Sequence, residues 1–249
     1  MTVADSPVAC ATARQVRWAW AVHLFTTAGA IVGMLALEAV FQNRARAAIV
    51  FLLVTQLIDG IDGPMARQID IRATVPKIYG YVLDLVIDYV TCVIVPAAFL
   101  HKFHLLPHAL SLPLVCLIVF LSAIWFSRTD MMTEDLWFNG FPATWNLVAP
   151  TMFLLGTPKW ANAATCLALC GLMLTNVKFP HPVRSLGMRT ITLGVTAAWM
   201  VALMWATQRL PTRSNFGKVL FVFALLYFTG LCTWRTRFQK NRTDKLAVA

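Results

Sequence analysis

Long apolar runs separated by short polar segments dominate the chain. Eight of these runs approach the roughly 20 residues that an α-helix needs to cross a bilayer. They lie near residues 18–42, 46–66, 79–101, 108–127, 143–158, 160–177, 188–207 and 216–234. The run at 143–158 fits a continuous helix least well, because Pro150 and Gly156 interrupt it. The pattern predicts an all-α integral membrane protein with about eight transmembrane helices.

Composition and charge support this class. Hydrophobic residues make up 59% of the 249 residues and charged residues 13%, whereas about 25% of a soluble domain is charged. In a soluble protein the net charge of +10 would suggest nucleic acid binding. In a membrane protein it favours attraction to anionic lipid headgroups. We therefore expect membrane lipids, and no nucleic acid, among the partners.

The distribution of basic residues predicts the orientation, because cytoplasmic loops carry an excess of Lys and Arg. With eight spans both termini share one side, and 14 of the 21 Lys and Arg residues fall on that side against 7 on the other. Ten of the 11 Asp and Glu residues lie on the same side or at that end of a helix, and Glu38 is the exception. We expect both termini to be cytoplasmic.

Four acids occur in two helical pairs within residues 59–88, which read DGIDGPMARQIDIRATVPKIYGYVLDLVID. Asp59 and Asp62 are three residues apart and Asp84 and Asp88 are four apart, so each pair shares one helix face. Like charges at these spacings repel, and an unpaired anion near hydrocarbon costs several kcal/mol. A hard, oxygen-seeking divalent cation is the simplest neutralising partner.

The same segment resembles the signature of the CDP-alcohol phosphatidyltransferase family, D-x2-D-G-x2-A-R followed after a spacer by G-x3-D-x3-D. Every fixed position is filled. The matching residues are Asp59, Asp62, Gly63, Ala66, Arg67, Gly80, Asp84 and Asp88. The resemblance implies that an alcohol oxygen attacks the phosphatidyl phosphorus of a CDP-linked lipid and that CMP leaves.

The resemblance also implies roles for the matching residues. Asp59, Asp62 and Asp84 would hold a metal ion on the diphosphate, and Asp88 would be the general base and a ligand to a second ion. The ions would be Mn²⁺ or Mg²⁺, one or two in number. Binding of CDP-diacylglycerol would involve the following residues: Asp59, Asp62, Gly63, Ala66, Arg67 and Gly80.

The expected architecture is a six-helix family core with two additional C-terminal helices. We expect a disordered cytoplasmic N-terminus over 1–16, a single transmembrane catalytic domain over 17–234 and a basic cytoplasmic tail over 235–249. The family resemblance further implies a homodimer. We expect it in the bacterial inner membrane, with its active site facing the cytoplasm because the cytoplasmic termini place all four acids on that side.

Other stretches bear on the acceptor alcohol. VHLFTTAGAIVGMLAL, VPKIYGYVLDLVIDYV, GFPATWNL and KFPHPVR resemble the bacterial phosphatidylcholine synthases, the branch of the family whose acceptor is choline. The trimethylammonium group of choline is held by aromatic faces and carboxylates. We therefore predict choline contacts from Tyr81, Asp135, Trp137 and Trp145, although aromatic residues are enriched at membrane interfaces in any case.

Two alternatives remain open at this point. Within the same chemistry, the acceptor can be serine, inositol or glycerol phosphate instead of choline. In a different class, intramembrane acids can form the ion site of a divalent-cation or amine transporter. Transporters usually place such acids at the midplane between repeats, whereas these acids lie at one end of their helices and no repeat is visible.

Overall fold

A computed structural model describes residues 12–68, 74–75, 77–185, 188–211 and 215–238. Helices form almost all of this part of the chain, so the predicted all-α class is confirmed. In chain order the elements are α1 (Ala13–Phe41), α2 (Ala45–Gln68), α3 (Gly80–Lys102), α4 (His108–Phe126), β1 (Trp137–Asn139), α5 (Trp145–Leu155), α6 (Lys159–Met173), β2 (Lys178–Pro180), α7 (Arg189–Gln208) and α8 (Asn215–Phe238).

Within the described ranges, five helices are long and apolar enough to cross a membrane, namely α1, α2, α3, α4 and α7. The predicted spans at 143–158 and 160–177 correspond to shorter helices, α5 with 11 residues and α6 with 15. Gly156 ends α5 in a left-handed conformation with φ of 63°. Five spanning helices establish a multi-pass membrane protein, and the count of eight stays a prediction.

The ends of the chain differ slightly from the predicted boundaries. Helix α1 begins at Ala13, and Thr12 and Gln15 close a capping box around its first turn. The segment predicted to be disordered therefore includes the start of a helix, and its residues 1–11 lie outside the described part. Helix α8 continues to Phe238 and carries the first basic residues of the predicted tail. The remainder of that tail, 239–249, is also outside the described residues.

Helix α3 contains a wide turn directly after Asp88. Residues Tyr89–Ile94 form a π-helix, in which the Val95 amide donates to the Val90 carbonyl. Pro96 follows in the first turn of the next α-helical segment. Because proline has no N–H and its ring crowds the carbonyl four residues earlier, it accounts for the wide turn. The acids of α3 thus lie on the α-helical half that precedes the π-helical turn.

Close packing of α1 against its neighbours places the acidic segments side by side. A Cβ atom on Gly33 would lie 2.8 Å from Thr91 Cγ2, so any larger residue at this point would require α1 or the Thr91 side chain of α3 to shift. Farther from the acids, the core is filled by large apolar side chains that are fully buried. They include Ile49, Phe99, Leu100, Ile118 and Trp145.

A two-stranded antiparallel ladder lies on the side of the acids. It joins the connection between α4 and α5 to the connection between α6 and α7. Trp137 lies opposite Pro180, and Asn139 lies opposite Lys178. The Trp125 indole donates to the Asn139 carbonyl at 2.8 Å, which fixes β1 to the end of α4. The ladder therefore determines where the turn that follows β2 lies.

Candidate active site

Three of the four predicted metal ligands converge. Carboxylate oxygens of Asp59 on α2 and of Asp84 and Asp88 on α3 all lie within 4.8 Å of one another. All three side chains are half-buried. Three hard oxygen donors at this separation match the ligand type that a divalent cation uses in proteins, with water and phosphate oxygens as the other ligands such an ion takes. The residues present therefore fit a Mg²⁺ or Mn²⁺ ion.

Asp62, the fourth acid of the signature, is 5% exposed and has different neighbours. The Thr26 side chain of α1 and the Gly63 backbone amide lie near its carboxylate. It is not part of the group of three carboxylates found among the described residues. Its predicted role as a metal ligand stays a prediction, and its observed contacts link α2 to α1.

Two guanidinium groups flank the first glycine of the signature. A Cβ atom on Gly63 would lie 3.2 Å from Arg67 Nη1 and 3.6 Å from Arg184 Nη2. Arg67 follows Gly63 by one helical turn on α2, whereas Arg184 comes from the turn after β2. Both positive groups lie near Asp62. Since guanidinium groups bind phosphate through two parallel hydrogen bonds, the arrangement provides an anion site beside the carboxylates.

The second glycine of the signature makes room for a histidine. A Cβ atom on Gly80 would lie 3.1 Å from Cε1 of His23 on α1. His23 is 5% exposed, and its Nε2 atom has no hydrogen-bond partner within the described ranges. Ala66, the remaining small residue of the signature, is half-buried on α2 directly before Arg67. The small residues thus lie where the helices and the basic side chains meet.

His181 lies between the ladder and the two arginines. Its ring stacks on Phe138 with centroids 5.0 Å apart and an interplanar angle of 15°. Its Nδ1 accepts a hydrogen bond from the Val183 amide at 3.2 Å. Burial and the nearby positive charges of Arg184 and Arg67 lower the pKa of His181 to about 4. The ring is therefore neutral at pH 7, and the arginines supply the positive charge at this site.

The predicted choline contacts lie in three different environments. Tyr81 is 54% exposed and precedes Asp84 by one turn of α3. Asp135 and Trp137 come together around Arg235 of α8, which pairs with the Asp135 carboxylate and lies 5.6 Å from the centre of the Trp137 ring. Trp145 is fully buried and donates to Ser122 Oγ at 3.2 Å. A role in choline binding stays a prediction for all four.

Sequence reasoning missed two amide side chains that contact the acidic group. Gln56 Nε2 donates to Asp59 Oδ2 at 3.0 Å, and Asn146 Nδ2 donates to Gln56 Oε1 at 2.8 Å. Gln56 precedes the signature by one helical turn, so the three-residue spacing to Asp59 was an available signal. Asn146 lies 90 residues from Gln56 along the chain, and local spacing does not reveal such a contact.

Comparison with known proteins gives a consistent result. No protein-family model matches the chain. The curated phosphatidylcholine synthase of Pseudomonas aeruginosa is 37% identical over 218 residues, which cover 88% of this chain and 92% of the relative. That of Bradyrhizobium diazoefficiens is 39% identical over 225 residues, 90% of this chain and 83% of the relative. That of Rhizobium meliloti is 33% identical over 188 residues, 76% of this chain and 78% of the relative.

Proposed function

Since the chain belongs to the phosphatidylcholine synthase family, a group of membrane-embedded phosphatidyltransferases, we propose that it transfers the phosphatidyl group of CDP-diacylglycerol to choline. The products are phosphatidylcholine and CMP. The observation that carries the proposal is the convergence of Asp59, Asp84 and Asp88 beside two arginines that flank Gly63. Carboxylates suited to a cation and guanidinium groups suited to phosphate are what a diphosphate substrate requires.

The reaction is a displacement at phosphorus. The choline oxygen forms a bond to the phosphatidyl phosphorus, the bond from that phosphorus to the CMP oxygen breaks, and CMP leaves with the bonding electrons. In our proposal the Asp88 carboxylate accepts the proton of the choline hydroxyl. A bound Mg²⁺ or Mn²⁺ ion would neutralise the diphosphate and stabilise the leaving phosphate. Asp59, Asp84 and Asp88 would hold it, with Asp62 as a further candidate ligand.

The other residues of the site bind and orient the substrate in this proposal. Arg67 and Arg184 bind the diphosphate oxygens, and the absence of a side chain at Gly63 lets those oxygens approach the backbone. Gly80 and Ala66 leave space for the nucleotide. Holding the two reactants in line lowers the entropic part of the barrier. The half-buried position of the three carboxylates limits the access of water, which would otherwise compete with choline for the phosphatidyl group.

An acceptor panel tests the proposed function. Washed membranes containing the protein would receive CDP-diacylglycerol with choline, serine, inositol or glycerol phosphate, one at a time, and CMP release and lipid product would be followed. We expect product with choline alone. Lipid product formed from serine and not from choline would contradict the proposed acceptor while leaving the reaction class intact.

Removal of divalent metal should abolish the activity. We expect choline transfer to fall at least 100-fold after chelation and dialysis, because one metal-stabilised charge is worth several kcal/mol in the transition state. Addition of Mn²⁺ or Mg²⁺ should restore the rate, whereas Na⁺ at the same ionic strength should not. Full CMP release after exhaustive chelation would disprove metal dependence.

Loss of the Arg184 side chain should weaken substrate binding. A charge-assisted hydrogen bond contributes about 1.5–3 kcal/mol, so Arg184→Ala should lower kcat/KM for CDP-diacylglycerol by roughly 10- to 100-fold. Arg184→Lys should recover only part of the loss, since an ammonium group cannot form the two-pronged contact. Arg44→Ala provides the control, because Arg44 is exposed and directly precedes α2, at the end of that helix opposite the acids. Equal effects of the two alanine variants would count against the phosphate contact.

Tyr81 is the best supported of the four predicted choline contacts, because its ring is exposed beside Asp84. The proposed choline contacts of Asp135, Trp137 and Trp145 rest on the sequence alone. Replacement of a ring that packs on the trimethylammonium group raises the KM for choline and leaves the KM for CDP-diacylglycerol unchanged. An unchanged choline KM in Tyr81→Ala would remove Tyr81 from the pocket, with Tyr81→Phe as the conservative comparison.

We also propose that the protein lies in the bacterial inner membrane with both termini and the active site in the cytoplasm. The excess of Lys and Arg on one side supports this orientation. A cysteine placed at Lys77 should react with a membrane-impermeant thiol reagent in inverted vesicles and stay unlabelled in intact spheroplasts. The reverse pattern would invert the topology. A homodimer, implied by the family resemblance, would be checked by mass measurement in detergent.

A further inference from the structure

Two side-chain amides connect the Asp59 carboxylate to the start of α5. Gln56 and Asp59 lie one turn apart on α2, and Gln56 Nε2 donates to Asp59 Oδ2 at 3.0 Å. On its other side Gln56 Oε1 accepts from Asn146 Nδ2 at 2.8 Å. The signature of the family includes neither amide. The contact links an acid of the site to a helix that supplies none of the acids.

The two side-chain amides are oriented in the same direction along this connection. Gln56 turns its NH₂ group toward Asp59, whose carboxylate oxygen accepts the hydrogen bond. Its carbonyl oxygen then faces Asn146, which must in turn present its own NH₂ group. Both bonds observed have this direction. The Gln56–Asn146 pair is therefore ordered so that one oxygen of Asp59 is held by a hydrogen bond.

The Asn146 end of the pair is energetically unfavourable. Asn146 is fully buried, and its Oδ1 atom has no hydrogen-bond partner within the described residues. Burial of an unsatisfied carbonyl is unfavourable, and an apolar side chain of similar size would avoid it. Folding stability therefore does not account for asparagine at this position, whereas orientation of Asp59 does.

Asn146 is also held firmly. The preceding residue, Trp145, is fully buried and its indole donates to Ser122 Oγ on α4 at 3.2 Å. Asn146 follows directly in the first turn of α5. A rigid amide fixes Gln56, and Gln56 fixes one oxygen of Asp59. The second oxygen of that carboxylate is then free to face a cation shared with Asp84 and Asp88.

We propose that Gln56 and Asn146 are positioning residues that orient Asp59 for binding of a divalent cation. The inference rests on the proposed function, in which the three carboxylates hold the metal. Residues that support a metal ligand typically contribute a factor of 10 to 100 in affinity. Because the two amides act in series, removal of either should have nearly the effect of removing both.

Binding of Mn²⁺ to the purified full-length protein tests the proposal without any substrate. Free Mn²⁺ would be measured by electron paramagnetic resonance for Asn146→Leu, Gln56→Met and the double variant. We expect roughly 10-fold weaker binding in each single variant, with no further loss in the double variant. Choline transfer should recover most of its rate at saturating Mn²⁺, as expected for residues that position a ligand.

Controls separate this role from general damage to the fold. Gln42→Met removes an amide that donates to the Glu38 carboxylate at the far end of α1 and should leave Mn²⁺ affinity unchanged. Metal-free Asn146→Leu should unfold at a temperature no lower than that of the unmodified protein, because the unsatisfied carbonyl is gone. Mn²⁺ affinities within twofold of the unmodified protein, or fully additive losses, would overturn the proposal. Failure of the unmodified protein to bind Mn²⁺ and transfer choline would instead refute the proposed function.

Discussion

An Asp88→Asn variant should release CMP from CDP-diacylglycerol and choline about 10²- to 10⁴-fold more slowly than the unmodified protein, the range that general-base catalysis supplies. Asparagine has nearly the same size as aspartate but cannot accept the proton of the choline hydroxyl. The carboxylate of Asp88 lies within 4.8 Å of those of Asp59 and Asp84. In the proposed mechanism, a proton taken up there stays beside the carboxylates that hold the metal.

The measurement needs saturating metal, because Asp88 is also a candidate ligand. Under that condition a weaker metal site does not limit the rate, and the remaining loss reports the missing base. Metal-free Asp88→Asn should unfold at the same or a higher temperature, since a neutral amide removes the cost of placing a third carboxylate beside Asp59 and Asp84. Glu38→Gln is the matched control at the opposite end of the molecule, and its rate should be unchanged. A rate for Asp88→Asn within threefold of the unmodified protein would exclude Asp88 as the base.

Gly140→Ala should cause a large loss of stability away from the acids. Gly140 follows β1 with φ of 82°, and a Cβ atom there would lie 2.7 Å from the Met173 carbonyl oxygen and 2.9 Å from that of Leu172. The positive φ costs a residue with a side chain about 1–3 kcal/mol, and crowding against backbone adds about 1–3 kcal/mol. We expect the free energy of unfolding to fall by about 3 kcal/mol.

Thermal unfolding of the detergent-solubilised protein measures this effect, with Gly194→Ala as the comparison. Gly194 lies within α7, where no atom comes within 4 Å of an added Cβ. There alanine should raise helix stability by roughly 0.5–1 kcal/mol. The two substitutions are chemically identical and should shift the unfolding temperature in opposite directions. Equal shifts would mean that the conformation at Gly140 is not the cause.

The segments that sequence reasoning predicted well are those in which chemistry and spacing are local. Asp84 and Asp88 share a helix face because they are four residues apart, and the lengths of α1 to α4 follow from apolar runs alone. The structure then brings Asp59 to the same place. Convergence of two helices is a tertiary event, yet the sequence predicts it because four acids near hydrocarbon are tolerable only around a cation.

The remaining features depend on contacts between distant segments. Arg184 reaches Gly63 because the β1–β2 ladder positions its turn, and strands of three residues leave almost no pattern in a sequence. Asn146 contacts Gln56 from another helix, and no local spacing in the sequence indicates this contact. The short α5 and α6 were predicted as spans because their apolar composition matches that of longer helices. Hydrophobicity indicates that a segment is buried, and it does not report where the helix ends.

The π-helical turn at Tyr89–Ile94 bears on how this chain can change in length during evolution. Each residue rotates an α-helix by roughly 100°, so a helix that lost one residue of this turn would rotate one half of α3 relative to the other. Phe99 and Leu100, both fully buried, would then leave the core if the acids kept their positions. The π-helical turn lets the acids before it face the site while the core residues after it face the core, although both lie on one helix. Single-residue insertions and deletions between Asp88 and Phe99 should therefore be selected against even where every remaining side chain is apolar.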